Sequence, residues 1–130
     1  MSDDEFMARF EDCTLAPFHH CDHVRMAFLY LSRYPALEAL ERFSLALRRF
    51  ATAKGKPGLY HETITWAFLF LIRERMARGG MPAWEEFARD NQELMSWENS
   101  ILKRYYREET LASELAKRTF LLPDRVGVGG

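Results

Sequence analysis

Cysteine is scarce in this chain, neither sign of charge dominates, and no apolar run is long enough to cross a bilayer. Each shortage removes a class of protein. Cys13 and Cys21 are the two cysteines. They are too few for a disulfide framework and are not spaced as C-x-x-C, so reduced thiols are expected. The 18 basic residues stand against 19 acidic ones, for a net charge of −1. A general nucleic-acid or membrane-surface binder would carry a basic excess, so both are excluded as partners, although local patches such as Arg48-Arg49 stay open. The mostly apolar run over 64–72 falls far short of the roughly 20 residues that a transmembrane helix needs. The acidic opening Ser2-Asp3-Asp4-Glu5 is unlike a signal peptide, and a cytoplasmic location is the expectation. Repeats, heptad seams, domain linkers and strand-period segments are missing too, which leaves an all-α protein.

What is present suits a single core. Of 130 residues, 48% are hydrophobic and 14% aromatic, ample for one domain over residues 1–125 with a loose tail over 126–130. Ser2 and Glu5 have capping-box spacing at the head of a short helix ending near Cys13, and Leu15-Ala16-Pro17 breaks it. The next helix covers residues 20–33, with His20, His23, Ala27 and Leu31 on its buried side, and Tyr34-Pro35 stops it. Over 36–53, Ala36, Leu40, Phe43, Leu47 and Phe50 recur at helical spacing. Gly55-Lys56-Pro57-Gly58 is a turn. A helix over 60–78 is apolar almost all round and is expected at the centre of the bundle. Shorter helices follow over 82–90, 100–106 and 109–119, and the stretch over 121–124 is read as an extended strap. The fold expected is a compact helical bundle of about four main helices with short flanking helices.

All four histidines fall in two segments, Phe18-His19-His20-Cys21-Asp22-His23 and Tyr60-His61-Glu62-Thr63. Consecutive helices joined by short turns run antiparallel, so the helices over 20–33 and 60–78 run parallel and their N-terminal ends share one side of the molecule. His20 and His23, or His19 and His23, can share a helical face. His61 from the neighbouring helix would supply a third nitrogen, with Glu62, Asp22, Cys21 or water in a fourth position. Three protein ligands and one exchangeable position are what a catalytic zinc needs to acidify its water. Iron, manganese and copper also accept such ligands. The candidate set is therefore His20, His23 and His61 for a divalent metal, zinc first. Glu62 or Asp22 would complete the shell or act as base, and Arg25 would orient a carboxylate or an anionic substrate.

Several familiar chemistries do not fit. His61-Glu62-Thr63-Ile64-Thr65 lacks the second histidine of H-E-x-x-H. The Glu-x-x-His pairs of di-iron bundles are missing, as is a G-x-S-x-G elbow. Cys21 at a helix start has the dipole that favours a thiolate, but cysteine is more often small apolar filler.

The segments Phe18-His19-His20-Cys21-Asp22-His23-Val24-Arg25 and Tyr60-His61-Glu62-Thr63-Ile64-Thr65, with the ending Phe120-Leu121-Leu122-Pro123-Asp124, resemble a family of small, uncharacterised bacterial helical proteins. The resemblance covers roughly residues 18–125. It implies that His20 rather than His19 belongs with His23 and His61, and it implies no substrate. The leading expectation is a small metal-binding protein acting on a small molecule as hydrolase or oxidoreductase. A metal-free binding or regulatory module, homodimeric in one version, whose histidines only organise helix ends is the alternative, and a small-ligand binder using the aromatic core is a third. The first requires the imidazoles of His20, His23 and His61 to converge on one point, at metal–ligand distances of about 2.0–2.2 Å for zinc.

Overall fold

The computed structural model describes residues 1–125, and among them the protein is all-helical, with no strand. The expected loose tail over 126–130 lies outside the described residues. Helix α1 (Asp3–Glu11) starts where Ser2 Oγ accepts the Glu5 N–H at 3.1 Å, and it buries Phe6, Met7 and Phe10. Helix α2 (His20–Arg33) is capped by Asp22, whose carboxylate accepts the His19 N–H at 2.9 Å. A carboxylate in the first turn also complements the helix dipole. Val24 and the run Met26 through Leu31 are buried, so this helix is enclosed on all sides along that run. Helix α3 (Ala36–Ala53) begins directly after Pro35, whose fixed φ suits a helix entry, and buries Ala39, Leu40, Phe43, Ala46 and Phe50.

Aromatic rings join these three helices. Phe10 of α1 lies 6.0 Å from Phe43 and 5.3 Å from Phe50 of α3, between ring centroids, and 6.3 Å from Tyr30 of α2. The buried Tyr30 keeps a polar outlet, its hydroxyl donating to Glu11 at 2.7 Å. Two ion pairs close the α1–α2 contact from outside, Arg25 with Asp3 at 2.6 Å and Arg33 with Asp4 at 2.5 Å.

Helix α4 (Glu62–Arg78) packs against both α2 and α3, as its apolar sequence requires. It is less enclosed than expected, because Ile64, Trp66 and Leu71 are half-buried and Phe70 is exposed. It also starts later than the spacing suggests. Pro57–Leu59 forms a 3-10 turn, Tyr60 is extended, and His61 is the N-cap rather than a first-turn residue.

The chain beyond α4 is held differently. Helix α5 (Trp84–Asp90) buries Phe87 against Phe28 of α2, with ring centroids 5.0 Å apart. The expected helix over 100–106 is instead a 3-10 turn over Ile101–Arg104. The expected helix over 109–119 is broken into α6 (Glu108–Leu111) and α7 (Glu114–Arg118), because Ser113 ends one and caps the next by accepting the Ala116 N–H at 3.1 Å. Helices of four and five residues are far below the length that sustains itself. The expected strap over 121–124 is extended. Tyr106 Oη donates to the Leu121 carbonyl at 2.7 Å, and Asp124 accepts the Arg107 N–H at 2.9 Å and the Thr110 hydroxyl.

Thr63 is the fixing point of this region. Fully buried in α4, its hydroxyl faces the carbonyls of Ala116 and Thr119, each at 2.8 Å, and accepts the Leu121 N–H at 3.1 Å. Thr63→Val keeps the shape but removes the acceptor of the Leu121 N–H and the one proton that the hydroxyl gives to the carbonyl of Ala116 or Thr119. Leaving buried polar groups unsatisfied costs about 1–3 kcal/mol, so urea unfolding of Thr63→Val is expected to show a loss of that size, whereas a loss below about 0.5 kcal/mol would mean that water replaces the hydroxyl.

Candidate functional site

His20 and His23 lie one turn apart at the start of α2, with ring centroids 6.0 Å from each other. His20 is half-buried between Phe68 of α4, at 4.9 Å, and the exposed Trp97, at 5.4 Å. Its Nε2 lies 2.9 Å from the Leu94 carbonyl, which fixes that nitrogen as the N–H donor. Burial lowers its pKa, partly opposed by that carbonyl. His23 sits deeper, among Phe43, Phe68 and Phe18 at 5.3, 6.3 and 6.4 Å. Its Nε2 is buried without a partner. Burial, and secondarily the neighbouring His20, push its pKa down to about 3. His19 and Cys21 are exposed.

His61 is not brought to this pair. As N-cap of α4, its Nδ1 accepts the Ile64 N–H at 3.1 Å, and its Nε2–H donates to the Leu111 carbonyl at 2.7 Å. These two bonds agree on one neutral tautomer and use both ring nitrogens. The reason for the separation is register along α4. His20 and His23 pack on Phe68, seven residues beyond His61, and seven residues at 1.5 Å each place the two levels about 10 Å apart. The parallel-neighbour argument carries α2 alongside α4 but not its N-terminal end to the same height. Among the described residues, no group of three or more His, Cys, Asp or Glu side chains is arranged to hold a metal ion.

The carboxylates and the arginine expected to assist the chemistry are also separated. Asp22 is turned back on the His19 N–H. Arg25 reaches α1 rather than Asp22 or Glu62, pairing with Asp3 and lying 4.5 Å above the Phe6 ring. Glu62 faces α3, where it accepts the Tyr60 hydroxyl at 2.5 Å, Trp66 Nε1–H at 3.1 Å and Arg48 at 3.3 Å. Arg48 in turn lies 4.7 Å over the Tyr60 ring. With three donors on one carboxylate, Glu62 is a hub of fixed hydrogen bonds.

The i, i+4 spacing of Glu62 and Trp66 is a signal that the sequence reading did not use, whereas Arg48 required the packing of α3 on α4. Basic side chains beyond α5 were missed altogether. Their signal is the run Lys103-Arg104-Tyr105-Tyr106-Arg107, which lines two clefts with Arg125.

Comparison with protein-family models, with curated proteins and with solved structures finds no match to this chain. No helix of the described residues is long and apolar enough to cross a membrane.

The histidine environment has a pH consequence. His23 stays neutral in the folded protein down to about pH 3, while in the unfolded chain it titrates at its ordinary value of 6.5. Its folded pKa is depressed, so the unfolded state binds the extra proton, and stability complete above pH 6.5 falls as pH drops toward 3. One proton corresponds to about 1.4 kcal/mol per pH unit below that value. The window from about pH 6.5 to about pH 5 lies above the carboxylate range. Chemical unfolding there is expected to show this slope in the wild type, with His20 adding in the same sense, and a slope flatter by about one proton in His23→Phe. Equal slopes would show that His23 is protonated in the folded state.

Proposed function

We propose that this protein is a small metal-free binding module, in which the histidines order helix ends and loops and ligand recognition takes place elsewhere. The observation that carries the reading is the double engagement of His61. A metal requires a free nitrogen lone pair, and Nδ1 of His61 gives its lone pair to the Ile64 N–H while Nε2 carries the proton donated to Leu111. Glu62, already accepting three donors, supports a structural role better than that of a base. A small-molecule ligand and a cytoplasmic setting belong to the same reading, the latter supported by Cys13 and Cys21 being free thiols. A homodimer is compatible with it. Nucleic acid and membrane surfaces are left out as general partners on the net charge of −1.

A second reading keeps a divalent metal, zinc before iron, manganese or copper, and rests on one feature. The buried, partnerless Nε2 of His23 lies one turn from a second imidazole, and such a pair holds a metal if His20 gives up Leu94. Elemental analysis of protein prepared without a nickel column separates the two. The first reading expects well below one metal per chain, and His61→Ala should lose about 1–3 kcal/mol of stability in thermal or urea unfolding, from a lost cap and a stranded carbonyl. Close to one metal per chain, removed by His20→Ala or His23→Ala, would replace it with the second.

A further inference from the structure

A cleft opens where the chain around the 3-10 turn over Ile101–Arg104 meets Arg125. It encloses about 600 Å³ and is lined by Lys103, Arg104 and Arg125 with Ser96, Asn99 and Tyr105 among its other walls. Among the described residues Glu93 is its one carboxylate, so cations outnumber carboxylates there three to one, in a chain whose net charge is −1. That carboxylate is already divided between Arg75 at 2.6 Å and Arg104 at 3.2 Å. The other two cations are held by neutral groups. Lys103 Nζ donates to the Glu98 carbonyl at 2.9 Å, and Arg125 Nη1 donates to the Lys103 carbonyl. A carbonyl steadies a cationic head group without cancelling its charge. A second cleft of about 380 Å³ shares Lys103 and Arg125 and is lined as well by Tyr106, Arg107, Glu108 and Glu109.

We infer that the larger cleft binds a small phosphate-bearing molecule. Two guanidinium groups and an ammonium around one opening match a multiply charged oxyanion with several acceptor oxygens, and the side chains of Ser96 and Asn99 add neutral donors. The volume falls in the range of small-molecule sites, about 300–1,000 Å³, too small for a macromolecular groove. The Tyr105 ring, 37% exposed, supplies an apolar wall for the remainder of the molecule. The inference rests on the binding-module reading only in taking the chain as a binder, since the cleft shares no residue with the histidine end.

The test is calorimetric titration of the full chain with inorganic pyrophosphate and, separately, with AMP. Saturable one-to-one binding of either probe is expected, and the tighter of the two tells inorganic phosphate from a phosphate ester. Loss of two charge-assisted contacts in Arg104→Gln/Arg125→Gln should weaken it by roughly tenfold or more. Arg78→Gln, whose exposed guanidinium pairs with Glu74 on α4, should leave it unchanged. Circular dichroism confirms the fold of the double variant, and Lys103→Gln serves as a second probe with the same expected direction. Absence of saturable binding of both probes, equal weakening by Arg78→Gln, or tighter binding of a single-stranded oligonucleotide or of phosphatidylglycerol vesicles would overturn the inference. Metal content measured on the same sample tests the histidine reading separately, so either can fail alone.

Discussion

The start of α4 is the constraint on which the remainder of the protein depends. The helices beyond it are too short to persist on their own nucleation energetics, and α6 and α7 have only four and five residues. They are ordered because His61 and Thr63 reach out of α4 to backbone groups of Leu111, Ala116, Thr119 and Leu121. Apolar contact reinforces the same join, with Trp66 stacked on Phe120 at 5.2 Å. A segment that cannot supply its own hydrogen-bond pairing borrows it from a helix that can.

The same arrangement explains why the candidate metal set does not assemble. Around the start of α4 the side chains are committed in two directions, His61 and Thr63 toward the C-terminal segment and Glu62 toward Arg48 and Tyr60. Helix α2 meets α4 higher up, where Phe68 provides an apolar seat for His20 and His23. Burial there takes both imidazoles out of water and so disfavours their charged form, which lowers the pKa values of both histidines.

Local periodicity made the first half of the fold legible. The bounds of α2 and α3 follow from an apolar repeat ended by Tyr34-Pro35 and by the Gly55 turn, where φ is +74°. The Ser2 cap and the burial of Phe43 and Phe68 were equally readable. In the second half, the information lies in contacts between distant residues. Nothing local to His61 indicates that its partner is the carbonyl of Leu111, fifty positions away, or that His20 finds Leu94, seventy-four away. A histidine just before a helical pattern reads equally well as first-turn residue or as cap, and only the Ile64 N–H decides. The break between α6 and α7 was missed because Leu111, Leu115 and Ala116 keep a helical period across it, while the Ser113 cap interrupts the backbone.

One feature of the backbone connects the histidine end with the basic cleft. Irregular chain between residues 94 and 121 leaves carbonyls outside continuous helix, and long polar side chains collect on them. His20 takes Leu94, Lys103 takes Glu98, Arg125 takes Lys103, His61 takes Leu111, and Tyr106 takes Leu121. A carbonyl accepts a proton and contributes no net charge, so its effect depends on the donor it meets. Imidazole meets it through Nε2–H, which fixes the ring nitrogen that carries the proton there, and becomes part of the scaffold. Lysine and arginine, which stay cationic, are positioned without being neutralised, and their charge remains available at the cleft wall. The irregularity that defeats helix prediction in this third of the chain thus fixes the tautomers of two histidines and leaves positive charge concentrated beside the cleft of Lys103, Arg104 and Arg125.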